Sequence, residues 1–579
     1  LYGERSLRGY NNYDKQPTIK VSGKLINGYE EIAQELNLAN STQKTVVMDL
    51  YVMADRDEII ENLGKYFDNV FISDHCAYEG DELTEKMQRW LTDDRIFGVL
   101  TTDFLDDFFI KEKINEMREK ISLSKGKTLV IGVGAMLIAQ GDINVHCSIA
   151  RWETQLRFRK GLPNWNCDNF DMDPLTKFKR GYFVEWRLAD KHKQKYFDKF
   201  DYFMDTNKKG SPNMICADDY KNALTAAVNT PFRVVPYFDP GVWGGQWMKE
   251  VCGLDKNQKN FAWCFDCVPE ENSVLYAFEN GTAEMPSIDI VFFRGRELLG
   301  DRVQARFGNE FPIRFDFLDT IEGGNLSLQV HPTTEYISEH FNMRYTQDES
   351  YYILDTESSD AGVYLGVKKD IVPEEFIDAL NNAQKTGEMD VEKFVNRFPA
   401  KKHDHFLIPG GTIHCSGKNT MVLEISSTPY IFTFKLWDWG RVGLDGKPRP
   451  INIGHGKNVI DYKRDTQWAQ ENLINRFETV ASGDGWVEEK TGLHEREFIE
   501  TRRHWFEREV FHNTKGSVNV LNLVEGEEAE VVSPTGKFEN FTVHYGETFI
   551  IPANVGDYII RPTEKTKGER LATIKALVR

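Results

Sequence analysis

Cysteine is scarce and scattered: the 579 residues hold eight, and only Cys264 and Cys267 form a CxxC pair. That pair sits in an apolar, strand-like run from Phe261 to Val268, with no second pair to complete a zinc ribbon. The thiols therefore read as reduced core residues. Positive charge is in deficit, because 71 Lys and Arg face 90 Asp and Glu, a net charge of −19. Such a chain has no bulk attraction for nucleic acid or for an anionic membrane, although a local basic pocket could still take a small anion. Long apolar runs are also missing. The longest, around Thr128 to Ala139, is too short and too glycine-rich to span a bilayer. The opening residues, Leu1 to Arg5, lack a basic-then-apolar leader. Internal repeats and low-complexity linkers are absent. These absences point to a cytoplasmic protein, and the length implies two to four domains.

What is present divides near Thr230. Before it, strand-like runs (Thr45 to Asp49, Asn69 to Ser73, Thr128 to Gly132) alternate with amphipathic stretches such as Phe108 to Leu123. Alternation of this kind predicts a layered α/β domain with a mostly parallel sheet. Met214 to Cys216, with Asp218 as a helix cap and Tyr220 to Val228 helical, reads as its last strand and helix. After Thr230 short alternating strands separated by Gly, Pro and Asp take over, with one helical insertion from Val372 to Phe398. The expected architecture is an α/β domain over 1–230, then all-β jelly-roll barrels over 231–500 and 501–579.

Chemistry concentrates in Asn325 to Pro332. Gln329 and His331 are two apart, so on a strand both point to one face. A second candidate strand opens with Glu349. A third runs from His405 into Pro409-Gly410-Gly411, a turn that can present His414. Two imidazoles, one carboxylate and one amide oxygen suit zinc with a position left open for water or substrate.

Pro409-x-Gly411-x-x-His414 has the form of the second motif of cupin barrels. Gln329-x-His331-Pro332 followed by Glu349 has the form of the first motif in class I mannose-6-phosphate isomerases. Residues 231–579 resemble that family at several further points: Pro236 to Gly245, Phe311 to Asp319, Glu424 with its following serines, Thr433 to Trp439, and Gly446 to Arg449. The resemblance implies a double cupin fold. It also implies a zinc ion held by Gln329, His331, Glu349 and His414, and isomerisation of mannose 6-phosphate to fructose 6-phosphate through a cis-enediol. Glu424 aligns with the family's active-site Glu, and Ser327 with a serine on the phosphate side. The last block copies the cupin turn at Gly546 to Pro552 without a histidine after it, so that barrel is expected to hold no metal.

Three positions depart from the family pattern. Asp316 stands where a lysine is usual, with Arg314 two residues earlier able to reach the same face. Gln347 replaces a lysine two residues before Glu349, and Lys435 replaces an arginine. Lysine keeps the charge but loses the planar fork. The phosphate is therefore expected at Ser327, Arg314 and Lys435, with Glu424 and Lys435 as catalytic groups. A second function class stays open: a metal-binding cupin that senses a sugar or sugar phosphate without turning it over.

In the N-terminal part, Gly126-Lys127-Thr128 lacks the upstream glycine of a phosphate-binding loop and leads into a strand. Gly132-x-Gly134 lacks a third glycine. Arg151 to Lys160 and Tyr182 to Lys193 are faintly similar to the later part of uridine-kinase or phosphoribulokinase-type domains, which would make 1–230 a degenerate kinase-like domain. A solvated basic face explains them equally well.

Overall fold

The computed structural model describes residues 10–38, 43–429, 431–443, 449, 451–492 and 494–579. The expected leader-free start, Leu1 to Arg5, and the Gly446 to Pro448 part of the family-like segment lie outside them. The chain forms two compact units. One comprises 18–227 with 270–294, and the other 1–17, 228–269 and 295–579. The changeover at 227–228 lies close to the expected division, but two segments cross it, so neither unit is continuous in sequence.

The first unit is built on a seven-stranded sheet. Five strands run parallel in the order Asn69–Ile72, Lys127–Gly132, Lys44–Leu50, Ile143–Ser148 and Tyr202–Asp205. Asn213–Cys216 then joins antiparallel, and the two-residue strand Ile26–Asn27 closes the edge. Covered strands need apolar residues on both faces, and Val46, Val47, Met48, Leu129, Val130 and Ile131 are all fully buried. Asp218 lies in the first turn of the helix Ala217–Ala227 rather than before it. The basic run is solvated only in part: Arg159 and Lys160 are exposed, but the others turn inward. Arg151 is buried between Asp190 and Glu270, Arg187 also reaches Glu270, and Lys193 is buried against Asp289. Gly132 is explained by packing: with φ near 135°, a Cβ there would strike the Asp74 carboxylate.

The second unit carries two pairs of antiparallel sheets. The first pair has six strands, from His405–Ile408 at one edge to Tyr237–Asp239 at the other, and five strands, from Val395–Pro399 to Phe434–Trp437. The second pair has six strands and four. Among the described residues no sheet closes on itself, so the expected barrels are open, paired sheets. The unit is not all-β either, because helices Asp301–Phe307, Thr334–Phe341 and Thr466–Asn472 interrupt it. The insertion is α-helical over Pro373–Thr386, with a short 3-10 turn at Val391–Lys393. Gly387, left-handed at φ 77°, ends that helix, and the chain returns as the strand Val395–Pro399. All eight cysteines are free thiols, and Cys264 and Cys267 are buried on one strand.

Candidate metal centre

The strand Leu328–Val330 carries Gln329 and delivers His331 immediately after it, while His414 opens the neighbouring strand His414–Ser416. Gln329 and His414 are direct register partners in the five-stranded sheet. Glu349 opens Glu349–Thr356 in the facing six-stranded sheet. The turn that presents His414 needs its glycine: Gly411 has φ 90°, and its N–H donates to the His331 carbonyl at 2.8 Å.

The three side chains converge. One ligand atom from each of His331, Glu349 and His414 lies within 4.8 Å of the others, and all three residues are buried. His414 Nε2 is 2.7 Å from Glu349 Oε1, and His331 Nε2 is 3.1 Å from Glu349 Oε2. Each imidazole is oriented from behind. His414 Nδ1 is 2.9 Å from the Thr412 carbonyl, and His331 Nδ1 is 3.2 Å from that of Phe432. A carbonyl can only accept, so Nδ1 carries the proton and a neutral ring shows a bare Nε2 lone pair. Two lone pairs then face a carboxylate in a dry site, where His331 Nε2 and Glu349 Oε1 have no hydrogen-bond partner. A cation resolves that arrangement, so the residues fit a divalent ion. The Gln329 amide lies 3.2 Å from His414 Nε2, and a half-turn of the amide exchanges its oxygen for its nitrogen there.

Behind Glu349 runs a chain of buried polar groups. Gln347 Nε2 is 3.2 Å from Glu349 Oε2 and equally 3.2 Å from Glu424 Oε1. Arg314 donates to Glu424 at 3.0 Å, to Ser426 at 3.3 Å and to Asp316 at 2.8 Å. Two buried carboxyl groups thus share one guanidinium. Burial raises Glu424 well above the usual carboxylate range, with Asp316 and Glu349 adding to it. Burial also raises Asp316 to about 7, against the pull of Arg314.

Ser327 and Lys435 stand in the five-stranded sheet region with a separate cluster. Ser327 donates to Asp438 at 2.7 Å, and Arg449 Nη1 reaches both, at 3.2 Å and 3.0 Å. Arg441 holds Asp438 at 2.7 Å. Burial pushes the Lys435 amine down to about 7, and Arg449 adds to the shift. Three cations therefore surround one carboxylate. Arg314 is committed to Asp316 and Glu424 instead. Arg449 and Asp438 were not singled out from the sequence, where the only signal was their place in the family-like stretch.

Residues 28–229 match a family described as Domain of unknown function (DUF8485), which gives no support to a kinase-like reading of that region. YvyI of Bacillus subtilis (strain 168) is 24% identical over 344 residues, which is 58% of this chain and 96% of that protein. Mannose-6-phosphate isomerase ManA of the same organism is 28% identical over 232 residues, 40% of this chain and 68% of that protein. The crystal structure of the mannose 6-phosphate isomerase from Bacillus subtilis aligns with 60% of this chain and 99% of its own, at 19% identity and a TM-score of 0.49. The chain is thus similar, at low identity, to proteins that carry the name mannose-6-phosphate isomerase.

Proposed function

We propose that this protein is a zinc-dependent aldose–ketose isomerase acting on a sugar phosphate, with mannose 6-phosphate and fructose 6-phosphate as the first pair to test. The observation that carries the reading is the convergence of His331, Glu349 and His414, wired through Gln347 to Glu424. His331, Glu349, His414 and the Gln329 oxygen would hold the ion. When bound, it supplies a Lewis acid for the carbonyl and enediolate oxygens of the substrate.

Isomerisation moves a proton between adjacent carbons, and Glu424 is the carboxyl placed to relay it. Arg314 and Ser426 fix its orientation, and Gln347 keeps it in register with the metal carboxylate. Ser327, Lys435 and Arg449 supply the hydroxyl and the cations that a phosphate dianion needs. Among the described residues no helix is long and apolar enough to cross a membrane, and the free thiols favour a cytoplasmic setting.

The second reading, a sugar-phosphate sensor without turnover, is favoured by one observation: Gln347 bridges Glu349 and Glu424 with a neutral amide that lacks a cation's pull on either. A coupled assay of the zinc-loaded chain on both hexose phosphates decides between them. Turnover that falls at least about a hundredfold in Glu424→Gln supports the isomerase. Binding without turnover leaves the sensor.

A further inference from the structure

The second pair of sheets holds an apolar core cluster. Phe506, Leu521, Leu523, Phe549 and Leu571 pack into it. Along Ile499–Phe506 the positions that share the face of Phe506 read Glu500, Arg502 and His504, and on the paired strand Leu571–Val578 the face of Leu571 continues to Lys575. Those polar residues line a cavity of about 820 Å³, a size that suits a small organic ligand. Six lysines and arginines face three carboxylates around it, in a chain of net charge −19.

The carboxylates are already engaged. Glu488 lies 3.0 Å from Arg502 and 3.2 Å from His504, Glu500 lies 2.6 Å from Arg502, and Asp557 accepts from Asn513 at 2.6 Å. The cations are not all satisfied. Lys575 is 6% exposed and makes no hydrogen bond or ion pair with any described residue. His504 Nδ1 and His512 Nε2 are buried without a partner. The two rings stand 4.4 Å apart, and His512 is stacked on Tyr558. Burial pushes the Lys575 amine down to about 8, a cost that a bound anion would offset. Phe511, which is 68% exposed, and Lys515 also line this cavity. Polar groups at an interior face are costly unless something pairs with them.

We propose that this cavity is a second ligand site, for a small phosphate monoester whose anion sits among Lys575, His504 and His512 and whose organic part packs on Phe511. It uses none of the residues of the proposed isomerase site.

Calorimetric titration of the zinc-loaded chain with phenyl phosphate and with inorganic phosphate, at ionic strength held with chloride, tests it. One binding event should weaken by at least about tenfold in Lys575→Gln and to a lesser degree in Lys515→Gln, and should persist in Arg449→Gln. Phe511→Ala should abolish the preference for phenyl phosphate over inorganic phosphate. Should Lys575→Gln not fold, the variants Lys515→Gln and Phe511→Ala decide, because both side chains are exposed. Unchanged titrations in every cavity variant that folds overturn the proposal. So does an event that disappears in Arg449→Gln alone, which belongs to the Ser327 cluster.

Discussion

Arg314 donates to Glu424 at 3.0 Å across two register-paired strands, Ile313–Asp319 and Thr420–Ser427. The same guanidinium holds Asp316 at 2.8 Å. Removing one partner of a buried ion pair leaves the other uncompensated, at a cost of about 3–5 kcal/mol. Arg314→Leu is expected to lose about that much stability, and Asp316→Asn in the same background to recover part of it. Urea unfolding measures both. A loss below about 1 kcal/mol in Arg314→Leu would show that the two carboxyls are neutral without their cation.

Metal content is the most direct check on the centre. His331→Ala and His414→Ala should each bind far less than one zinc per chain, measured by elemental analysis after dialysis. Full zinc content in both variants would mean that the ion sits elsewhere.

Lys435 stands with Arg449 and Arg441 around Asp438. An arginine at 435 can offer two parallel donors to a phosphate where lysine offers a point charge. Lys435→Arg should tighten hexose-phosphate binding by about 1–2 kcal/mol, and Arg449→Gln should weaken it by a similar amount. Unaltered calorimetric affinity in both would move the phosphate away from Ser327.

His405 is fully buried, with the Thr491 backbone as its polar neighbour. Burial, with Arg503 adding to it, depresses its pKa to about 3. The unfolded chain takes up a proton near pH 6.5 while the folded one does not until about pH 3. Its effect on stability is therefore absent above pH 6.5 and grows as pH falls toward 3, by about 1.4 kcal/mol per unit. His405→Phe should flatten the fall of the urea midpoint between pH 6.5 and 4.5. An identical slope in the variant would place the acid sensitivity in other groups.

The sequence carried the parallel sheet and the metal motif, because both rest on short-range pattern. Continuous apolar runs mark covered strands, as Val46 to Met48 and Leu129 to Ile131 do, and a spacing of two puts Gln329 and His331 on one strand face. Glu349 and His414 were legible because each opens a strand next to a recognisable turn or motif. The departures Asp316, Gln347 and Lys435 were visible as letters, but their consequence was not.

Only tertiary structure decided what those letters do. Arg314 has one reach, and the register that sets Asp316 opposite Glu424 commits it to those carboxyls, while Arg449 comes to Ser327 from 122 positions away. The same holds for the exchange of 1–17 and 270–294 between units, and for the meeting of His504, His512 and Lys575 around one cavity. Side-chain parity is local and can be counted along a chain. Which strands become neighbours depends on the burial of whole faces, a long-range balance that no short window of residues contains.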